Sequence, residues 1–457
     1  MAARHKVGAV VLALLIGGCS SQGPSYKAVA PTAVILAAEG TPTTVAVGLI
    51  VSGSSAPGQG SDLAAEAAGA TVAAFRLSHG SRTVTLDVVD DQGTSAGALK
   101  AITKLVADHV SGVVAATTGD HLDAALALAA YDNLPVLAPY LAAPVPSAAT
   151  TWYLGAQAKD IHSAIKAGLA LRHLTSPFVL SGDGTAADVV GLAPPFHQMS
   201  YATDATADAI AAPVLSAAQR HSIDSVVIGG SAERQAQIVA ALQGKAPGLQ
   251  IVLTPEAVRA AFGDGLGTQA AKDGTATTAG AFFTVGSPST DALAQSNTDV
   301  AGRMAALLTA VALAASEQGT PPYAAGYTRT GGARDLLHPA SLSFGQVGAA
   351  TADAGSHDAV IALARAAEKA KSADPALVLA ELRNGFRLHA DGLAGPDLDF
   401  RTPWAAGSAS LVTLQSTARD PGTRVLAPSS RNAPGTATAS TEQKVALWWF
   451  ALPTSAG

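Results

Sequence analysis

The chain is poor in several things that would narrow its function at once. One of its 457 residues is cysteine. No disulfide can therefore close within it, and no Cys/His array has the spacing of a zinc site. Charged residues make up 14% of the chain, the net charge is -6, and no block of Lys and Arg occurs. That excludes the basic stripe a phosphate backbone requires, and nucleic acid as a partner. Catalytic signatures are missing too: there is no G-x-S-x-G elbow, no H-E-x-x-H and no G-x-x-x-x-G-K-[ST] phosphate loop. The 11 histidines are scattered. "GDGLG" and "SGDGT" lack the strand-to-helix dinucleotide pattern and read as turns. Asp87, Asp90 and Asp91 look like a metal cluster but read as a solvated strand end. No enzyme, cofactor or metal is expected. No repeat of solenoid length is evident.

What is present is apolar and organised. Apolar residues make up 48% of the chain, and its length exceeds one hydrophobic core, so two compact units are expected. Arg4, His5 and Lys6 precede an apolar run from Val7 to Ile16, followed by Gly17, Gly18 and Cys19. This reads as an export signal, because the run is short of the ~20 residues a bilayer span needs. The order Ile16-Gly17-Gly18-Cys19 resembles the lipobox of bacterial lipoproteins. The resemblance implies that residues 1–19 hold a signal peptide with its lipobox, that the Cys19 thiol is lipidated, and that the protein sits on the outer face of the cytoplasmic membrane. An ordinary secretory signal with a chance cysteine is the alternative. Residues 20–43 read as a tether.

From Thr44 onward short apolar runs alternate with amphipathic segments of helical length, the pattern of parallel α/β units. "TVAVGLIVS", "VTLDVVDD", "SGVVAATT" and "LPVLAPY" are predicted strands, with helices at 61–77, 94–109 and 122–132 between them. The rhythm restarts with "TWYLGA", a helix at 159–173, and the strands "SPFVLSGD", "HQMSYAT", "SVVIGG", "LQIVLTP" and "AGAFFTV". Residues 296–386 read as almost entirely helical, interrupted by the Gly- and Pro-rich "EQGTPPYAAGYTRTGGARD", and return to cover an existing sheet. Residues 44–150 and 280–406 are assigned to one lobe, and 151–279 and 407–418 to the other. Residues 419–457 read as a linker leading to the aromatic "KVALWWFAL", a packing element or a contact for a partner.

In that order and spacing, "VAVGLIVSGSSAPGQGSDLAAEAAGATVAAF", "LDVVDDQGTSAGALKAITKLV", "GVVAATTGDHLDAALALAAYDNLPVLAPYLAAP", "LTPEAV" and "DGLAGPDLDF" resemble the type 1 periplasmic binding fold. In particular, they resemble the branched-chain amino acid binding proteins of ABC transporters. The resemblance implies two doubly wound, Rossmann-like α/β lobes joined by a three-segment hinge. It further implies closure around a small polar ligand and delivery to an ABC permease.

Carried over position by position, the family's ammonium-binding acid falls on Glu256. A hydroxyl place falls on Gly119, beside Thr117 and Thr118, and a second falls on Ala142, near Tyr140. Aromatic places fall near Ala187 and on Ser231. Ser54, Ser55 and Gln59 occupy the first strand-to-helix loop, where either ligand contact or plain turn chemistry is expected. Asp183 completes the candidate ligand-binding set. Thr254 and Thr118 could equally be helix caps. The departures from the family pattern leave a second reading, a scaffold or regulatory lipoprotein that uses the two lobes, residues 319–345 and the aromatic tail to bind cell-envelope proteins.

Overall fold

The computed structural model describes residues 32–36, 40–55, 60–63, 66–78, 81–182, 186–202, 204–243, 245–246, 248–259, 261–262, 265–266, 268–269, 282–286, 299–316, 327–329, 353–407, 412–416 and 424–426. Cys19, Gln59, Asp183 and the aromatic tail lie outside them.

The apolar runs form two sheets. The first contains β1 (Thr44–Val51), β2 (Thr83–Asp90), β3 (Gly112–Ala115), β4 (Val136–Ala138), β5 (Thr151–Tyr153) and β11 (Tyr327–Arg329). Its order is β11-β2-β1-β3-β4-β5 and every pairing is parallel. The second contains β6 (Pro177–Ser181), β7 (Gln198–Ser200), β8 (Ser225–Ile228), β9 (Gln250–Leu253), β10 (Phe282–Gly286), β14 (Val412–Ser416) and β15 (Arg424–Leu426). It runs β15-β14-β10-β9-β8-β6-β7, parallel from β7 to β10 and antiparallel at β14 and β15. β12 (Arg387–Leu388) and β13 (Leu398–Asp399) form a small separate hairpin.

A parallel sheet must be covered on both faces. On the first, one face packs against α1 (Ala68–Leu77) and the helix Ala354–Ala370, the other against α2 (Ser95–Ala107) and α3 (Asp123–Tyr131). α2 shows how the sequence fixes this. Thr94 caps it by accepting from the Gly97 amide, and Ala98, Ala101, Ile102 and Leu105, spaced i, i+3, i+4 and i+7, are all buried. Ile102 and Leu105 each contribute about 1.5–3 kcal/mol by leaving water. On the second sheet the covers are α4 (Ala158–Leu171) on one face, and α6 (Ala207–Gln219) with α7 (Ala232–Gln243) on the other.

α1 is buried along its whole length, because the helices Asp299–Ser316 and Ala354–Ala370 also pack on it. At Gly69 a Cβ would lie 2.1 Å from the Asp353 carbonyl, so only glycine permits this approach. Arg76, fully buried, donates to the Ala33, Val34 and Gly392 carbonyls and to Nε2 of His357. Nδ1 of His357 then donates to Asp358, which also accepts from the Ala394 and Gly395 amides. Burial lowers Arg76 to about 10 and lowers His357 as well, keeping the imidazole neutral and its Nε2 an acceptor. This network pins residues 33–36, where Leu36 is buried, to the first lobe. The expected tether is therefore docked over that stretch.

The chain passes between the sheets three times, as expected of a three-segment hinge: after Tyr153, between Gly286 and Asp299, and between Gly407 and Val412. Two expected boundaries fall elsewhere. Thr151–Tyr153 extends the first sheet by pairing with β4, and Tyr153 stacks on Trp404 with ring centroids 4.8 Å apart. β10 belongs to the second sheet, because it pairs with β9. β11 falls within the Gly- and Pro-rich stretch that interrupts the expected helices, and the expected linker contains β15. The expected helix at 61–77 is a 3-10 turn, Ser61–Leu63, followed by α1. Among the described residues no helix is long and apolar enough to cross a membrane.

Candidate functional site

The direction of chain winding reverses between β1 and β3 in the first sheet and between β6 and β8 in the second. Doubly wound sheets hold ligands in the crevice beyond the carboxyl ends of the strands at such points. Polar residues follow the apolar runs at both.

In the first lobe Ser52 follows β1, Asp91 follows β2 and Thr117 lies just beyond β3, while the 3-10 turn Asp120–Leu122 carries His121. Ser52 Oγ donates to Asp91 Oδ1 at 2.6 Å and shares a hydrogen bond with Thr117 Oγ1 at 2.5 Å. His121 Nε2 stands 2.9 Å from Asp91 Oδ2 and 3.5 Å from Ser52 Oγ. Ser52, Asp91 and Thr117 are wholly buried and His121 nearly so. Despite its Ser, His and Asp, this is no nucleophilic triad: one imidazole nitrogen faces both partners, and the serine proton goes to the carboxylate. Gly60 closes over the cluster at φ +103, where a Cβ would lie 2.0 Å from Thr117 Oγ1.

This cluster corrects the reading of Asp87 and Asp91 as part of a solvated strand end, while Asp90 is partly exposed and bonds Ser54 and the Gln92 amide. Asp91 turns inward, accepting from the Gly93 amide as well as Ser52, and Asp87 is buried against Lys104. The signal was available: "VS", "VDD" and "ATT" each place a polar residue just past an apolar strand, and three parallel strands bring those ends together. Thr118 is no helix cap, since Gly119 takes that position without a side-chain bond. Ser54 is exposed and bonds Asp90, and the Ser55 amide donates to the Ser52 carbonyl, so both serve the turn.

Beyond β4, the Tyr140 hydroxyl donates to Asp353 Oδ2 at 2.8 Å. Asp353 caps the helix Ala354–Ala370 through the Ser356 amide, and Ser356 Oγ donates to the Glu66 carbonyl. Burial raises Tyr140 well above the usual phenol range, and it raises Asp353 despite the hydrogen bonds it accepts. Ala142, where a hydroxyl was expected, contributes only its carbonyl, to the Ala158 amide.

In the second lobe the expected acid, Glu256, sits on the 3-10 turn Pro255–Val258 after β9. Thr254 stands at the N-cap of that turn, ahead of Pro255, but its side chain makes no capping bond. Its hydroxyl donates to Glu256 Oε2 at 2.5 Å and accepts from Gln235 Nε2, which also reaches the Gly230 carbonyl. Ser231, buried, precedes α7. The side chain of Ala187 lies outside the described residues, but its neighbour Asp188, on the short helix α5 (Ala186–Val189), is 3% exposed. Burial first, and the charge of Glu256 second, push the Asp188 carboxyl up to about 8. The aromatic group at these strand ends is Tyr201, which lies against Gly182 and donates to the Gly229 carbonyl.

Arg259 joins the two halves. From the end of the Glu256 turn its Nε reaches within 3.5 Å of Glu66 Oε2, and its guanidinium lies 5.7 Å from the centre of the Tyr140 ring. Arg259 of the second lobe and Glu66 and Tyr140 of the first thus meet between the two sets of strand ends, with Glu256 three residues before Arg259 on the same turn. Among the described residues no group of three or more His, Cys, Asp and Glu could hold a metal ion.

No protein-family model matches the chain, and no curated protein matches it by sequence. Solved structures do. It is similar to an extracellular ligand-binding receptor from Rhodopseudomonas palustris HaA2, at 15% identity and TM-score 0.59, covering 84% of this chain and 100% of that one. It is similar to the branched-chain amino acid transporter substrate binding protein LivJ from Streptococcus pneumoniae, solved in complex with isoleucine, at 18% identity and TM-score 0.57 over 83% and 97% of the two chains. A leucine binding protein LivK from Thermotoga maritima matches at 14% identity and TM-score 0.55 over 84% and 98%. At these identities the likeness shows the fold: the chain has the α/β fold of a type 1 periplasmic binding protein.

Proposed function

We propose that the protein is an extracytoplasmic solute-binding protein that captures a small polar molecule, an amino acid or related compound, between its lobes. One observation carries the reading: Arg259 of the second lobe meets Glu66 and Tyr140 of the first across the strand ends. A ligand touching both lobes there would favour the closed state by its differential contacts. Lipidation at Cys19 would hold the protein at the membrane surface, and an ABC permease would receive the cargo. The test is a thermal-shift screen of the full chain against amino acids and small metabolites, repeated with Glu256→Ala. A stabilising ligand whose effect is lost in the variant supports the reading. A screen with no shift sinks it.

A second reading, a scaffold that binds cell-envelope proteins, is favoured by a specific observation. The hydroxyls of Thr117 and Tyr140, expected to meet a ligand, are taken by Ser52 and Asp353. It predicts no shift with any small molecule.

A further inference from the structure

We propose that the second-lobe end of the cleft is a guanidinium site, in which Asp188, Glu256 and the amide oxygen of Gln235 receive the N–H groups of a cationic ligand. This rests on the solute-binding reading and names the ligand class.

Hydrogen-bond donors and acceptors do not balance around Gln235, Glu256 and Asp188. Gln235 is wholly buried, and its Oε1 has no hydrogen-bond partner. The amide cannot be turned round to cure this. Its nitrogen serves the Gly230 carbonyl and the Thr254 hydroxyl, and that hydroxyl has already given its proton to Glu256. Asp188 is also buried, and no described hydrogen bond reaches its carboxyl. Glu256 accepts from Thr254 at one oxygen only. Acceptors therefore outnumber donors across Gln235, Glu256 and Asp188, the reverse of what a ligand carboxylate would want. An ammonium offers three donors and a guanidinium five, in a planar fork that suits paired carboxylates.

The charged surroundings agree. Beyond burial, the one charge that raises Asp188 is Glu256. β6, packed against α5, carries no ionisable side chain. α4, its other neighbour, buries Ile161 and Ile165, with Lys159 and Lys166 exposed and Asp160 and His162 half-buried. With its carboxyl raised to about 8, Asp188 holds a proton at neutral pH and would give it up to an arriving cation.

Titration calorimetry on the full chain, with agmatine, L-arginine and L-leucine as probes in buffers of different ionisation enthalpy, tests this. Agmatine or arginine should bind with release of close to one proton at pH 6, and affinity should rise about 50-fold between pH 6 and 8. Asp188→Asn, which removes the titrating group without changing its shape, should abolish both the release and the pH dependence. Should that variant misfold, proton release by the wild type still decides the matter. Guanidinium binding without proton release would overturn the inference. Binding of leucine alone would overturn it while leaving the solute-binding reading intact. Binding of none of the three probes at either pH would overturn it too, and the wider metabolite screen would then decide the broader reading.

Discussion

Arg259→Ala should open the ligand-free protein. The wild-type guanidinium faces Glu66 at 3.5 Å, and Glu66 is 5% exposed. At that separation, with an effective dielectric of about 20, the attraction is roughly 5 kcal/mol before desolvation. Burying the two charges offsets most of this, and the Tyr140 ring face adds about 0.5–1 kcal/mol. A net of about 2 kcal/mol in favour of closure corresponds to a ~30-fold change in the ratio of closed to open protein. The lone cysteine makes the assay simple. In a Cys19→Ser background, spin labels at Tyr131→Cys and Phe196→Cys, both highly exposed and one on each lobe, report the separation of the lobes by electron-electron distance measurement. Arg259→Ala and Glu66→Gln should each move the distribution to longer distances, and the double variant should add little. Distributions identical to wild type in both single variants would refute the cross-cleft contact as a force for closure.

Gly60→Ala should destabilise the protein by more than about 2 kcal/mol in urea unfolding, because it combines positive φ with a Cβ overlapping Thr117 Oγ1. Asp91→Ala removes the acceptor of Ser52, His121 and the Gly93 amide together, and should cost about 3 kcal/mol or more by the same measurement. Lowering the pH from 6.5 to 5 should reduce stability with a slope of up to ~1.4 kcal/mol per unit from His357. The unfolded chain takes up a proton that the buried imidazole refuses, so the contribution is full above 6.5 and falls below it, and His357→Gln should flatten the slope. Asp188 acts in the opposite direction. Its raised carboxyl favours the folded state at low pH, and the benefit fades as pH rises from about 4 to about 8, so Asp188→Asn should raise the melting temperature more at pH 8 than at pH 4.

The strands and helices were legible because their signals are local. Apolar runs such as "SVVI" and the i, i+3, i+4, i+7 face of α2 state their own burial. Sheet membership was harder at the edges, since Thr151–Tyr153 and Phe282–Gly286 look alike in sequence and differ only in which neighbour accepts them. Glu256 and Tyr140 could be placed from sequence alone, because each follows directly on its own apolar strand. The site was hidden where several distant residues combine. Asp91 looked solvated until Ser52, Thr117 and His121 arrived from other strands and loops. Arg259 belongs to no motif, because its meaning depends on the opposite lobe.

Native mass spectrometry of the full chain, purified without denaturant, tests the central claim most directly. The account expects a single small-molecule adduct on the wild type that is lost when Glu256→Ala and Asp188→Asn are combined. A bare protein mass under every gentle condition, or an adduct that survives both substitutions, would contradict it.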